Sequence, residues 1–291
     1  MKIAFIGLGR MGGAMAGHLA AAGHDITVVE PVADRLNQWC ALHNGHSAES
    51  PGTAVADAAV VITSLPADAE LESVANGPDG IFENLPTGGL WVDHTTSSAH
   101  IARALASKAD DRGLGFLDAP VSGGVDGAEK GTLAIMAGGL ETHLDEVRVL
   151  LECYAGNISY MGKAGSGQLT KMTNQICLVG IGQALAEGLH FAKTAELDLE
   201  QVVKVMSSGA AGSWQMTNRW QAMATSEYDF GFSTALMRKD IGLCLAEARR
   251  SGVALPVAAL VDQFLSDVEA LGGAQWDWSS LMERQRSPKD V

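Results

Sequence analysis

The run Lys2-Ile3-Ala4-Phe5-Ile6 leads straight into Gly7-Leu8-Gly9-Arg10-Met11-Gly12. Lys2 to Ile6, with four of its five residues apolar, reads as a fully buried strand. The hexamer fits G-x-G-x-x-G, a weak signal alone and a stronger one between a strand and a helix. Met11 to Ala22 reads as that helix, ending at Gly23, and Asp25 to Val29 as a second strand closed by Glu30. The roles separate. Gly7 permits a tight turn, Gly9 lets backbone approach a pyrophosphate, and Gly12 lets the helix pack on the strand. Glu30 stands about 20 residues on, where a carboxylate accepts from both ribose hydroxyls and repels a 2′-phosphate. NAD is therefore expected over NADP, with Arg35 leaving some room for NADP. A turn of this kind also serves S-adenosylmethionine, or no ligand at all.

The alternation continues outward. Ala33 to Leu42 reads as a helix and Ala59 to Ser64 as a strand ending at Leu65-Pro66. Gly89 to Asp93 is the next strand, running into His94-Thr95-Thr96-Ser97, and Ser97 or Ser98 caps a helix through Ala109. Ligands sit beyond the carboxyl ends of parallel strands, so Leu65, Pro66 and Thr95 are expected at the cofactor. His94 could act as a base, but a histidine flanked by hydroxyls reads better as structural. Leu114 to Asp118 opens into Ala119-Pro120-Val121-Ser122-Gly123-Gly124. That loop offers several N–H groups to a carboxylate, or is an ordinary glycine-rich loop. Leu133 to Ala137, Glu141 to Cys153 and Asn157 to Met161 read as strand, helix and strand.

From Ala164 to Lys193 no proline interrupts, which allows one long helix. Lys171 and Asn174 share a face of it. Taken alone, Lys171 reads as a surface lysine. Further on, strand signals stop. Leu199 to Ser207 is a helix, residues 208–214 a flexible turn carrying Trp214, and residues 227–234 lead into a helix through Arg250. Pro256 starts another helix, residues 272–282 close the fold, and the tail from Ser287 to Val291 is expected to be loose. Lys239 and Asp240, adjacent on a helix, are expected to find different partners. Ser213, Trp214 and Phe232 are expected to supply the other pocket wall.

The chain has 291 residues, so two domains are the default: 1–162 as a Rossmann-type α/β domain and 163–291 as an all-helical domain, joined by the long helix. The hydrophobic share of 47% with only 5% aromatics puts Ala, Gly, Val and Leu in the core. A net charge of −14 argues against nucleic acid and anionic membrane as partners. No window is apolar enough to span a membrane, and no secretory signal follows Lys2. Cys40, Cys153, Cys177 and Cys244 lack metal-type spacing, so neither zinc nor a disulfide is expected and a reducing cytoplasm is.

The chain resembles the β-hydroxyacid dehydrogenases, the 3-hydroxyisobutyrate dehydrogenase-like family. The resemblance rests on IAFIGLGRMGGAMA at 3–16, DAPVSGG at 118–124, Gly167-x-x-x-Lys171-x-x-Asn174 and Lys239-Asp240. It implies a Rossmann domain, a helical second domain, a cleft between them, and dimers or tetramers. It implies Lys171 as the catalytic residue, with Ser122, Gly123 and Asn174 on the substrate. The turn from Gly7 to Gly12, Leu65, Pro66, Thr95 and Lys239 would then hold the cofactor. Glu30-Pro31-Val32 stands where NADP-using members often have Asn-Arg-Thr, which favours NAD. Met172-Thr173-Asn174-Gln175 lacks the histidine of the decarboxylating phosphogluconate branch, and imine reductases usually replace the lysine kept here.

The expected activity is interconversion of a small β-hydroxy acid and its semialdehyde. The cofactor takes the hydride, Lys171 exchanges the proton, and Ser122, Gly123 and Gly124 hold the carboxylate. Burial and a positive nicotinamide would both favour a neutral Lys171. The glycines ahead of Lys171 are expected to let cofactor and carboxylate approach the helix start. A glyoxylate, tartronate or succinic semialdehyde reductase of the same family is the alternative, and a non-catalytic dinucleotide module a more distant one.

Overall fold

The computed structural model describes residues 1–285; the expected loose tail lies outside them. The first unit opens with β1 (Lys2–Ile6), α1 (Arg10–Ala21), β2 (Asp25–Val29), α2 (Ala33–Leu42), β3 (His46–Ser47), α3 (Pro51–Val55) and β4 (Val60–Thr63). It continues through α4 (Asp68–Ala75), α5 (Ile81–Asn84), β5 (Leu90–Asp93), α6 (Ala99–Asp110) and β6 (Gly115–Asp118). Then come β7 (Val121–Ser122), α7 (Gly124–Glu129), β8 (Leu133–Gly139), α8 (Glu141–Leu151) and β9 (Ala155–Gly162). The sheet order is β3-β2-β1-β4-β5-β6-β8-β7, with β9 on β8. Its first six strands are parallel and run in the order of a dinucleotide-binding sheet.

Period-two alternation explains the two layers. Ile3 and Phe5 of β1 face Met15 and Leu19 of α1 and Leu144 and Val147 of α8. Ala4 and Ile6 face Val55 of α3, Leu71 of α4, and Ile101 and Leu105 of α6. Strands covered on both faces have to be apolar throughout, as β4 and β5 nearly are.

At its far edge the sheet reverses. Strand β8 runs antiparallel to β6 and touches it only near Asp118 and Leu117. The chain crosses Ala119-Pro120 and continues along β8 as β7, pairing Val121 with Ile135 and Ser122 with Ala134. The segment expected as a loop is thus a short strand followed by a helix, and Ser122 stands beyond the carboxyl end of β6. Its two ladder rungs come from pairing with β8, which a two-residue run cannot announce in the sequence.

The long helix is α9 (Ser166–Thr194), unbroken from the first unit, which ends at Lys171, into the second, which begins at Met172. The second unit adds α10 (Leu199–Ser207), α11 (Trp214–Thr225), α12 (Thr234–Ser251) and α13 (Pro256–Ala270), then two 3₁₀ turns, Gly273–Gln275 and Trp278–Gln285. Asp198, Ser213 and Ser233 cap α10, α11 and α12. Trp214, expected in a flexible turn, instead starts α11. The Ser213 cap was hidden behind Ser-Gly-Ala-Ala-Gly, whose composition reads as loop throughout. No helix among the described residues is long and apolar enough to cross a membrane.

Candidate active site

Two of the three N-terminal glycines are demanded by the protein itself. Gly7 has φ +98°, its N–H donates to the Val29 carbonyl at 2.9 Å, and a Cβ there would lie 2.3 Å from the Ser64 carbonyl oxygen. A Cβ on Gly12 would lie 2.1 Å from the Gly7 carbonyl oxygen. On Gly9 it would meet nothing within 4 Å. Helix α1 starts at Arg10 with no side chain capping it, so its first N–H groups and its positive end are open to an anion. Leu8 is buried, Met11 packs on the core, and Arg10 is exposed.

Glu30 sits at the end of β2, buried. Its Oε2 accepts from the Leu8 N–H at 2.8 Å and its Oε1 from the Val32 N–H at 3.0 Å. Arg35 lies 3.6 Å from Oε1. The carboxylate therefore braces the glycine turn. Each oxygen has a second lone pair for a further donor.

Beyond β4 and β5 lies a buried polar chain. The Leu65 N–H donates to Thr95 Oγ1 at 3.1 Å. The Thr95 N–H and the Thr63 hydroxyl both donate to Asp93 Oδ1, at 3.1 and 2.7 Å. Desolvation pushes Asp93 up to about 7, against the bonds from Thr95 and Thr63. Thr95 is buried with its hydroxyl committed to Leu65, so it holds the Leu65-Pro66 segment in place. His94 bridges the Ala119 carbonyl, 2.6 Å from Nδ1, and the Tyr154 hydroxyl, 2.8 Å from Nε2. Burial pushes it down to about 4, so the ring is neutral, with Nδ1–H donating to the carbonyl and Nε2 accepting from the tyrosine. That is structural service.

Asp118 fixes the start of α9. Its Oδ1 accepts from the Gly165 N–H at 2.7 Å and its Oδ2 from the Gln168 N–H at 2.9 Å. Desolvation raises it to about 6, opposed by these N–H groups. Gln168, fully buried, accepts from the Ser97 N–H at 3.1 Å and donates to the Thr95 carbonyl at 2.7 Å. A Cβ on Gly167 would lie 2.3 Å from the Met136 carbonyl oxygen and 2.4 Å from that of Asp118. Gly165 has φ +88° and is crowded by Arg103 and Ala99. The protein's own packing already demands glycine at both positions. One and a half turns on, Lys171 is 9% exposed and its Nζ donates to the Val121 carbonyl at 2.9 Å. The lysine and Ser122 are thereby neighbours. Gly123, with φ +128°, and Gly124, with φ +64°, lead into α7.

In the second unit, Asn174 donates to Gln175 Oε1 at 2.8 Å, and Gln175 donates to Asp240 Oδ2 at 2.7 Å. Lys239 Nζ lies 3.1 Å from Asp240 Oδ1. The expectation of separate partners for Lys239 and Asp240 is therefore wrong. Adjacent Cβ atoms diverge, but the four-carbon lysine stem is long enough to curl back to its neighbour. Trp214 is 58% exposed, and its ring and that of Phe230 each lie 4.8 Å from the Arg219 guanidinium. Phe232, half-buried, donates its N–H to the buried Asp277. Phe230, rather than Phe232, shares the arginine with Trp214, and only the fold brings those rings together. Among the described residues no group of three or more His, Cys, Asp or Glu is arranged to hold a metal.

Residues 2–162 match the NAD binding domain of 6-phosphogluconate dehydrogenase, and residues 165–284 match the NAD-binding domain of NADP-dependent 3-hydroxyisobutyrate dehydrogenase. An uncharacterized oxidoreductase of Shewanella frigidimarina is 50% identical over 97% of both chains. The 3-hydroxyisobutyrate dehydrogenase of Pseudomonas aeruginosa is 36% identical over 98% of both. Among solved structures, the Mycobacterium tuberculosis 3-hydroxyisobutyrate dehydrogenase with L-serine is 32% identical. It aligns with a TM-score of 0.91 over 98% of this chain and 99% of that one. Strand order, glycine turn and these likenesses agree: the chain is an NAD(P)-binding oxidoreductase of the 3-hydroxyisobutyrate dehydrogenase-like β-hydroxyacid dehydrogenase family.

Proposed function

We propose that this enzyme uses NAD to interconvert a small β-hydroxy acid of the 3-hydroxyisobutyrate type and its semialdehyde. The observation that carries the reading is Lys171, buried and held at 2.9 Å to the carbonyl that precedes Ser122. A buried ammonium beside a short hydroxyl-and-glycine strand end is a poor structural choice and a good proton-handling one.

The residues fit a dinucleotide. Nothing in the fold requires a glycine at position 9, so its missing side chain makes sense as room for a pyrophosphate on the start of α1. Gly7, Leu8, Gly9, Arg10, Met11 and Gly12 would hold it, with Glu30 on the ribose and Leu65, Pro66 and Thr95 fixing the nicotinamide side. The buried Glu30 carboxylate favours two ribose hydroxyls over a 2′-phosphate, hence NAD over NADP. When bound, the cofactor accepts or returns the hydride.

The chain's own residues do the rest. Ser122 and the N–H groups of Gly123 and Gly124 bind the carboxylate and fix the β-carbon. Lys171 takes the hydroxyl proton in oxidation and gives it back from Nζ in reduction. Asn174, on the same helix face as Lys171, contacts the same hydroxyl. Turnover of 3-hydroxyisobutyrate, 3-hydroxypropionate, glycerate, serine and their aldehydes, each with NAD and NADP, tests the assignment. Activity confined to aldehydes would move the enzyme to the semialdehyde reductases, and no turnover of any member would reject the reading.

We assign the working form to a homodimer or homotetramer. Helix α9 leaves Phe191 73% exposed and Ile181 41% exposed, and α13 adds Val257 and Leu260, more apolar surface than helices facing water usually carry. Four free thiols agree with a reducing cytoplasm.

A further inference from the structure

A hydrogen-bond chain with a fixed direction leads from α12 to Asn174. It begins at Asp240, buried on α12, where Oδ1 lies 3.1 Å from the Lys239 ammonium and Oδ2 is 2.7 Å from Gln175 Nε2. An ionised carboxylate can only accept. Gln175, itself buried, must therefore turn its NH₂ group to Asp240; reversed, it would set two acceptor oxygens against each other. The thioether sulfur of Met237, 3.9 Å from the same Nε2, is also an acceptor and favours the same orientation. With Nε2 so committed, Gln175 Oε1 is left to accept, and Asn174 Nδ2 donates to it at 2.8 Å. Asn174 then has its amide nitrogen directed inward and its carbonyl oxygen left for a ligand.

We propose that Asp240 and Gln175 are positioning residues that lock the Asn174 amide so that it presents an acceptor, making this position a reader of a donating hydroxyl. The inference rests on the assignment of Asn174 to the substrate. Its consequence is selectivity between the two sides of the reaction. In the bound ground state the Lys171 ammonium donates to the substrate oxygen and the O–H of a β-hydroxy acid donates to Asn174 Oδ1, turning to Nζ only once the lysine has lost its proton, whereas the free aldehyde oxygen only accepts and gains nothing at Asn174. Neither Gln175 nor Asp240 needs to touch substrate for this. The relay works through amide direction, because each amide has one accepting and one donating end.

The test uses the full chain with Gln175→Met, which keeps side-chain length, removes both hydrogen bonds and leaves the Lys239–Asp240 pair intact, and with Asp240→Asn, which keeps shape but can donate. Either change frees the Asn174 amide to turn its NH₂ outward. The expected result is a KM for 3-hydroxyisobutyrate raised about tenfold, with the semialdehyde KM moving less than about threefold and the NAD KM unchanged in Gln175→Met. In ¹⁵N-labelled protein without ligand, the Asn174 side-chain amide protons, assigned by their loss in Asn174→Asp, should be protected in the wild type and lose protection in both variants. Parallel changes in both substrate KM values, or no change in either, would overturn the proposal. So would an Asn174 amide equally protected in Gln175→Met. If the wild type turns over no β-hydroxy acid, the functional reading fails separately, and the amide signal still decides for or against the relay.

Discussion

The Lys171 ammonium donates to the carbonyl of Val121 at 2.9 Å, so the lysine is aimed at the residue before Ser122. Replacing it with alanine removes the proton carrier and leaves the glycine turn untouched. Lys171→Ala should lose turnover by about 10²–10⁴-fold while binding NAD as before, measured by steady-state rates and by NADH fluorescence titration. Near-normal turnover at neutral pH would remove Lys171 from the chemistry.

The glycines of the N-terminal turn should fail in different ways. Gly12→Ala drives a Cβ to 2.1 Å from the Gly7 carbonyl oxygen, a backbone collision with no flexible partner to yield. It should cost about 1–3 kcal/mol of stability or more and abolish cofactor binding with it. Gly9→Ala meets no protein atom. Its stability should stay within about 0.5 kcal/mol of wild type while NAD affinity collapses. Thermal melts paired with NAD titration separate the two, and a Gly9→Ala protein with normal affinity would contradict the pyrophosphate assignment.

Glu30→Ala should weaken NAD and relax the bias against NADP. It also releases the Leu8 and Val32 N–H groups, so some loss of stability should accompany it. Glu30→Gln keeps one accepting oxygen and removes the charge; it should shift the NADP-to-NAD affinity ratio with less loss of stability. An unchanged ratio in both variants would clear Glu30 of cofactor choice.

Asp93 makes a pH prediction. Burial raises it from the usual 3.8 to about 7, so across that window the folded protein holds a proton that the unfolded chain has lost. Stability contributed by this group is therefore present at low pH and falls as pH rises through about 7. Asp93→Asn keeps Oδ1 for Thr63 and Thr95 and removes the charge. The Tm of the variant relative to wild type should climb between pH 4.5 and 8. A difference that stays flat across this range would mean that Asp93 ionises freely.

Phe191→Asp places a charge on the most exposed large apolar side chain of α9. It should lower the mass measured by light scattering towards that of a single chain, without loss of helix signal. An unchanged mass would put the contact between copies elsewhere.

Much of the fold was legible because its signals are local. Strands β1 and β2, the glycine turn and Glu30 lie within 29 consecutive residues, and the apolar alternation of the first half admits few other arrangements. The long helix followed from an absence of proline. What stayed hidden depends on contacts between distant positions. Asp118 reaches Gly165 across 47 residues, Gln168 reaches Ser97 across 71, and Gln175 reaches Asp240 across 65. A single sequence carries no mark of such pairings, so the partners of Asp93, Asp118, Gln168 and Gln175 cannot be read from it, whereas Lys171 and Ser122 stand in recognisable local patterns. Strand β7 is two residues long and exists only because β8 lies beside it.

A helix ordinarily frays first at its ends, where backbone donors lack partners. The beginning of α9 has been denied that freedom. The Asp118 carboxylate occupies the Gly165 and Gln168 donors, and carbonyl oxygens crowd Gly167 from two strands. Hydrogen exchange at these amides should consequently be as slow as in the middle of the sheet, opening only when the whole first unit unfolds. The turn that delivers Lys171 would then be among the last parts of the helix to breathe.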